Sequence, residues 1–141
     1  MTNFKKIFLD TAPFIYFLDE DPNFGEKTEQ IFSALIHDEK YIVTSVISAE
    51  EYLVHPYRTS NDDKVNAFWN FVDDYYITLC PINKNIAVEA AKIRTEYRHI
   101  KTMDALQLAA AISNGCDLFL TNDKQLRQFE KISCVTVEDW S

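Results

Sequence analysis

The chain has 141 residues, 47% of them hydrophobic and 13% aromatic, enough for one domain of ordinary size with a real core. Two glycines and four prolines leave little room for linkers or disordered tracts. A net charge of −8 argues against a non-specific nucleic-acid coat protein, which is basic, but not against an enzyme whose acids gather metal cations and so reverse the local field.

Lys5 to Asp10 reads as a short strand ending at an acid, and Thr11 and Pro13 suit the start of a short apolar helix, Phe14 to Leu18. Glu26 to Asp38 has helical periodicity, with Ile31, Phe32, Leu35 and Ile36 inward. Tyr41 to Ser45 is a second strand. The next helix starts at Ser48-Ala49-Glu50-Glu51 and ends near His55-Pro56. Ser60 to Asp63 opens another, with Val65, Phe68, Trp69 and Val72 on one face. Tyr76 to Cys80 is a third strand, stopped by Pro81, and Asn83 to Arg98 a long helix striped by Ile86, Ala90 and Ile93.

Lys101 to Lys124 then reads as a helix, a glycine stop and a strand. Thr102 is expected to be its N-cap, with Asp104 in the first turn, where the helix dipole favours an anion. Asn114-Gly115 ends it, since glycine tolerates the left-handed C-terminal position. Leu118 to Leu120 is a fourth strand, left by Thr121-Asn122-Asp123. A short helix from Lys124 to about Glu130 and a strand from Ser133 to Val137 complete the chain.

Strands alternating with helices imply an α/β domain over 1–141, a parallel sheet covered on both faces. Ligands of such sheets bind beyond the C-terminal strand ends. Asp10 and Asp123 leave strands there, and Glu51 begins the helix after the second strand. The helix of Asp104 runs antiparallel to the strand it precedes, so Asp104 returns to the same edge. Four carboxylates held close repel one another, and a hard divalent cation, Mg²⁺ or Mn²⁺, relieves this. Such a metal suits phosphoryl chemistry: it lowers the pKa of a water and clamps phosphate oxygens. No P-loop, GxGxxG or GxSxG is present.

The patterns IFLDT, TSVISAEEYLVHP and MDALQLAAAISNGCDLFLTND resemble a PIN domain, in particular the VapC-like toxins of type II toxin–antitoxin pairs, over about residues 5 to 137. The resemblance implies a three-layer fold with about five parallel strands and helices on both faces. It implies an Mg²⁺- or Mn²⁺-dependent endoribonuclease using one or two ions, usually a homodimer, inhibited by a cognate antitoxin. Asp10, Glu51, Asp104 and Asp123 match its four acids, as catalytic residues and metal ligands. Thr11, Thr121 and Asn122 are the supporting residues, the last two matching a polar pair that orients water or phosphate. Gln107 stands where many relatives carry histidine.

Other readings compete at single positions. Ser48-x-x-Glu51 has the spacing of a capping box, and register favours Glu51 over Glu50 as the ligand. Asp117 is read as structural, bonding backbone near the Gly115 turn. His37, His55 and His99 are surface or packing residues, and Phe14, Tyr16 and Phe17 belong to core or dimer packing rather than base stacking. Lys101, Lys124 and Arg127, with Arg94 and Arg98, flank the acidic edge, either to meet RNA phosphates or to balance the acids.

Cys80, Cys116 and Cys134 form no CxxC pair and are read as small hydrophobes of a reducing cytoplasm. No apolar run reaches membrane-spanning length, so a soluble, cytoplasmic protein is expected. A catalytically inactive protein- or RNA-binding module on the same fold is the alternative. A haloacid-dehalogenase-type phosphatase is disfavoured by Ala12, and a receiver domain by Cys80-Pro81 ending the third strand.

Overall fold

The computed structural model describes residues 3–141. In chain order the elements are β1 (Lys6–Leu9), α1 (Thr11–Leu18), α2 (Gly25–His37), β2 (Tyr41–Ser45), α3 (Val46–Arg58) and α4 (Asp62–Asp74). They continue as β3 (Thr78–Cys80), α5 (Lys84–Glu96), α6 (Thr102–Ser113), β4 (Leu118–Thr121), a 3-10 helix (Lys124–Gln128) and β5 (Ser133–Thr136). All strand pairings are parallel, in the order β3-β2-β1-β4-β5. The strand order reverses between β1 and β4, and that reversal opens a crevice at their C-terminal ends.

The near-continuous apolar strands reflect a sheet buried on both faces. Alternation sorts the central strands. Ile7, Leu9, Leu118 and Leu120 face one core with Phe14, Phe32, Phe68 and Phe71. Phe8 and Phe119 face the other with the alanines of α6 and the stripe Ile86, Ala90 and Ile93 of α5. The Phe8 and Phe119 rings stack with centroids 5.4 Å apart. Ala105, Ala109, Ala110 and Ala111 are all buried, so small side chains let α6 lie close to the sheet.

Several sequence expectations are corrected. Thr102 does not cap α6 but is its first residue; the cap position is Lys101, with no side-chain bond. Ile100, buried in the core, sets the phase and leaves Lys101 as the last extended residue. Helix α3 begins at Val46, capped by Ser45, whose hydroxyl accepts from the Ile47 amide. The Ser48–Glu51 capping box is therefore excluded, because Ser48 already lies inside the helix. The same helix runs through Pro56 to Arg58, since proline has a helical φ and here removes one amide near the helix end. On α4 the inward stripe is Phe68, Phe71 and Val72, and Trp69 is 40% exposed.

Phe14 and Phe17 pack as expected for core aromatics, against Phe71 at 5.5 and 4.8 Å. All three cysteines are free thiols, and burial pushes those of Cys116 and Cys134 up to about 12. The three histidines lie on the surface. Asp117 holds the opposite end of the sheet, accepting from the Lys5 and Lys6 amides at 2.8 and 3.1 Å. Its partners are thus the entry of β1 rather than the Gly115 turn. Among the described residues no helix is long and apolar enough to cross a membrane.

Gly115 adopts φ +70°, with open space where a Cβ would stand. Gly115→Ala is expected to cost about 1 kcal/mol through backbone strain alone, lowering Tm by about 3–4 °C in a thermal melt. An unchanged Tm would mean that the turn relaxes out of the left-handed region.

Candidate active site

The crevice between β1 and β4 collects the acids. Asp10 follows β1 in extended conformation and caps α1, its Oδ1 accepting from the Thr11 amide at 2.9 Å. Its own amide donates to Leu120 O at 2.9 Å, which fastens it to β4. Its Oδ2 accepts from Thr121 Oγ1 at 2.8 Å, and Thr121 Oγ1 accepts from the Asp123 amide at 3.1 Å. The Thr121 hydroxyl therefore links the two acids that leave the central strands. Asp123 caps the 3-10 helix through Gln125 N, 2.9 Å from its Oδ1.

Glu51 comes from α3 and accepts from Thr11 Oγ1 at 2.5 Å. Glu50 and Glu51 are both exposed, and of the two Glu51 is the one that hydrogen-bonds a residue beside Asp10. Asp104 sits in the first turn of α6. Burial pushes its carboxyl up to about 6, and the charges of Asp10, Asp123 and Glu51 add to the shift while Lys101 opposes it. Burial likewise pushes the Asp10 carboxyl up; the Thr121 hydroxyl and the Thr11 amide oppose this, Glu51 adds to it, and Gln107 opposes it. Four carboxylates from four elements thus feel one another at one edge.

Among the described residues no three His, Cys, Asp or Glu side chains stand close enough together to enclose a metal ion. The hydrogen bonds give a physical reason. Asp10, Glu51 and Asp123 each lean on a donor of the protein, Thr121, Thr11 or a helix amide, rather than on a common centre. Each carboxylate oxygen keeps a second lone pair. All donors are hard oxygens, and the mutual repulsion marks a place where positive charge is wanted. In type, though not gathered about one centre, these donors are those that hard divalent cations such as Mg²⁺ or Mn²⁺ take. A cavity of about 480 Å³ lies elsewhere, between α1 and α2, lined by Phe17, Glu20, Asp21 and Glu26 and by none of the four acids.

Thr11 and Thr121 occupy supporting places between the acids. Asn122 is partly buried between Thr121 and Asp123. The flanking cations divide. Lys124 pairs with Glu138 at 3.1 Å and Arg127 with Asp139 at 2.6 Å, so these two balance acids of the C-terminal turn rather than those of the crevice. Lys101 makes no ion pair among the described residues and acts on Asp104.

A buried polar group beneath the acids went unread as part of the site. Thr44, Ser45, Ser48 and Gln107 are 0 to 1% exposed. The available signal was a glutamine inside an alanine-rich buried helix, since a buried amide needs partners.

A family model described as "PIN domain" matches residues 7–132. The VapBC2 assembly of Rickettsia felis, bound to a fragment of its promoter DNA, superposes with TM-score 0.75 at 14% identity, over 93% of this chain and 98% of that one. A toxin–antitoxin complex from Klebsiella pneumoniae gives 0.70 at 19%, over 93% and 97%. Mycobacterium tuberculosis VapC20, described as a sarcin-ricin loop cleaving toxin, gives 0.67 at 14%, over 90% and 98%. No curated protein sequence matches the chain.

Proposed function

The chain belongs to the PIN domain family, and on that premise we propose that it is an Mg²⁺- or Mn²⁺-dependent endoribonuclease, the toxin of a toxin–antitoxin pair. The observation that carries the reading is the meeting of Asp10, Glu51 and Asp123, linked through Thr11 and Thr121, with the first turn of α6 that bears Asp104, at the strand-order reversal. The chemistry of this donor set supports Asp10, Glu51, Asp104 and Asp123 as metal ligands, holding one or two ions. When bound, such an ion supplies a more acidic water and a counter-charge for the phosphate.

The chain's own residues do the rest. Thr11 holds Glu51, and Thr121 holds Asp10 against Asp123, so the acids keep their places while the substrate arrives. Asn122, partly buried beside Asp123, is a donor that suits a phosphate oxygen. Hydrolysis breaks the bond between phosphorus and the 3′-oxygen, leaving a 5′-phosphate and a 3′-hydroxyl. The VapBC and toxin–antitoxin neighbours support an antitoxin partner, and the acidic crevice would suit a basic side chain from it. A cytoplasmic homodimer completes the reading.

The test is RNA cleavage by the purified protein in Mn²⁺. Cleavage is expected with Mn²⁺ and none with EDTA; equal cleavage in both would refute metal dependence. The separation of the acids favours one other reading, an inactive binding module. Mn²⁺ binding without cleavage of any RNA would select it.

The cations give a second expected result. Lys101→Ala is expected to weaken single-stranded RNA binding about three- to fivefold and to lower the salt slope by about 0.7, the value for one phosphate contact. Lys124→Ala, already satisfied by Glu138, is expected to change binding less than about twofold. Fluorescence anisotropy in EDTA at several salt concentrations checks both. Equal losses would show that RNA displaces Glu138.

A further inference from the structure

Gln107 lies three residues after Asp104, so both project from one side of α6. Its Nε2 donates to Ser48 Oγ at 2.8 Å, and its Oε1 accepts from Ser45 Oγ. Ser48 Oγ in turn lies 3.4 Å from Thr11 Oγ1, the hydroxyl that holds Glu51. The surrounding hydroxyls leave one consistent arrangement of protons. Leu9 O can only accept, so the proton of Thr44 Oγ1, 2.7 Å away, goes there. Ser48 then donates to Thr44 across 2.8 Å and is left as acceptor for Gln107. Thr11 spends its proton on Glu51. The amide of Gln107 is thus fixed with its oxygen towards Ser45 and its nitrogen towards Ser48.

We propose that Gln107 is a positioning residue of the carboxylate site, whose side-chain amide sets the stand-off of Asp104 from Asp10 and Glu51. It joins the end of β2 and the first turn of α3 to the helix that carries Asp104. It touches neither substrate nor the reacting atoms, and acts through Ser48 and Thr11 on Glu51 and through α6 on Asp104. This inference rests on the reading of the four acids as a metal site.

The experiment is Mn²⁺ binding to the full chain, followed by the electron paramagnetic resonance signal of the free ion, together with kcat and KM for RNA cleavage. Gln107→Met keeps volume and removes the amide. Mn²⁺ binding is expected to weaken about 10- to 100-fold, with kcat falling similarly and KM within about twofold, as for other residues that orient metal ligands. Asn83→Ala removes the cap of α5 and destabilises the fold away from the acids, and is expected to leave Mn²⁺ binding unchanged. If Gln107→Met does not fold, Ser48→Ala cuts the same anchor with the loss of one hydroxyl, and a tenfold weakening is again expected. Wild-type Mn²⁺ affinity in whichever variant folds overturns the inference alone. A wild-type protein that binds no Mn²⁺ overturns the metal-site reading and the inference with it.

Discussion

Asp10→Asn is expected to abolish RNA cleavage, by about a thousandfold or more, while leaving the fold intact. The metal's contribution to phosphoryl chemistry is several kcal/mol, and each 1.36 kcal/mol is a factor of ten. The fold survives because the amide fits the same partners. Its oxygen takes the Thr11 amide that Oδ1 accepts now, and its nitrogen donates to Thr121 Oγ1, where Oδ2 sits. The Thr121 hydroxyl keeps the Asp123 amide and turns its proton away. What changes is charge: the central anion of the crevice is lost, and with it one ligand and the repulsion from Glu51. Cleavage assays in Mn²⁺, paired with circular dichroism, check this. Substantial cleavage by folded Asp10→Asn would remove Asp10 from the mechanism.

The sheet could be read from the chain because buried parallel strands announce themselves. Ile7-Phe8-Leu9, Ile42-Val43 and Leu118-Phe119-Leu120 are continuous apolar runs between helical patterns. The convergence of acids was also readable, since each lies at a strand end or follows one. Less readable were features set by tertiary position. Lys124 and Arg127 looked available to RNA until the C-terminal turn brought Glu138 and Asp139 to them. That turn is fastened by Trp140 edge-on to Phe4 at 5.9 Å and by the Asp139 amide donating to Thr136 O at 3.2 Å, contacts that no local pattern shows. The capping box at Ser48 and Glu51 failed for a similar reason. The spacing was right, but Ser45 at the strand end starts the helix earlier, and the two residues turn to partners from α1, β2 and α6. Spacing puts Trp69 on one face of α4 with Val65, Phe68 and Val72, yet the buried stripe is Phe68, Phe71 and Val72.

Asp104→Asn is expected to stabilise the metal-free protein at pH 7.5 and to remove its stabilisation by Mn²⁺. Its carboxyl is raised from 3.8 to about 6 in the folded state. The native protein therefore binds more protons than the unfolded chain between about pH 4 and 6, so metal-free stability falls as pH rises through that window and stays low above it. Two units at about 1.4 kcal/mol each would be about 3 kcal/mol for a fully buried group. Asp104 is only half-buried, and solvent screening cuts this to about 1–1.5 kcal/mol. Asparagine recovers that amount at pH 7.5, a rise in Tm of about 3–5 °C, and flattens the pH dependence between 4 and 6. With Mn²⁺ the order reverses. At a hundredfold excess over Kd the wild type gains about 2.7 kcal/mol, and the variant, lacking one ligand, gains little. Proton competition adds a mark of its own: below about pH 6 wild-type Mn²⁺ affinity falls about tenfold per unit, because Asp104 must lose a proton to bind. Thermal melts from pH 4 to 8, with EDTA and with Mn²⁺, read all of this. If Asp104→Asn were less stable than wild type in EDTA at pH 7.5, and Mn²⁺ raised both melts equally, Asp104 would be a simple helix-start charge and not part of a cation site. The expected crossing of the two melts would mean that the crevice trades metal-free stability for a site that a cation completes.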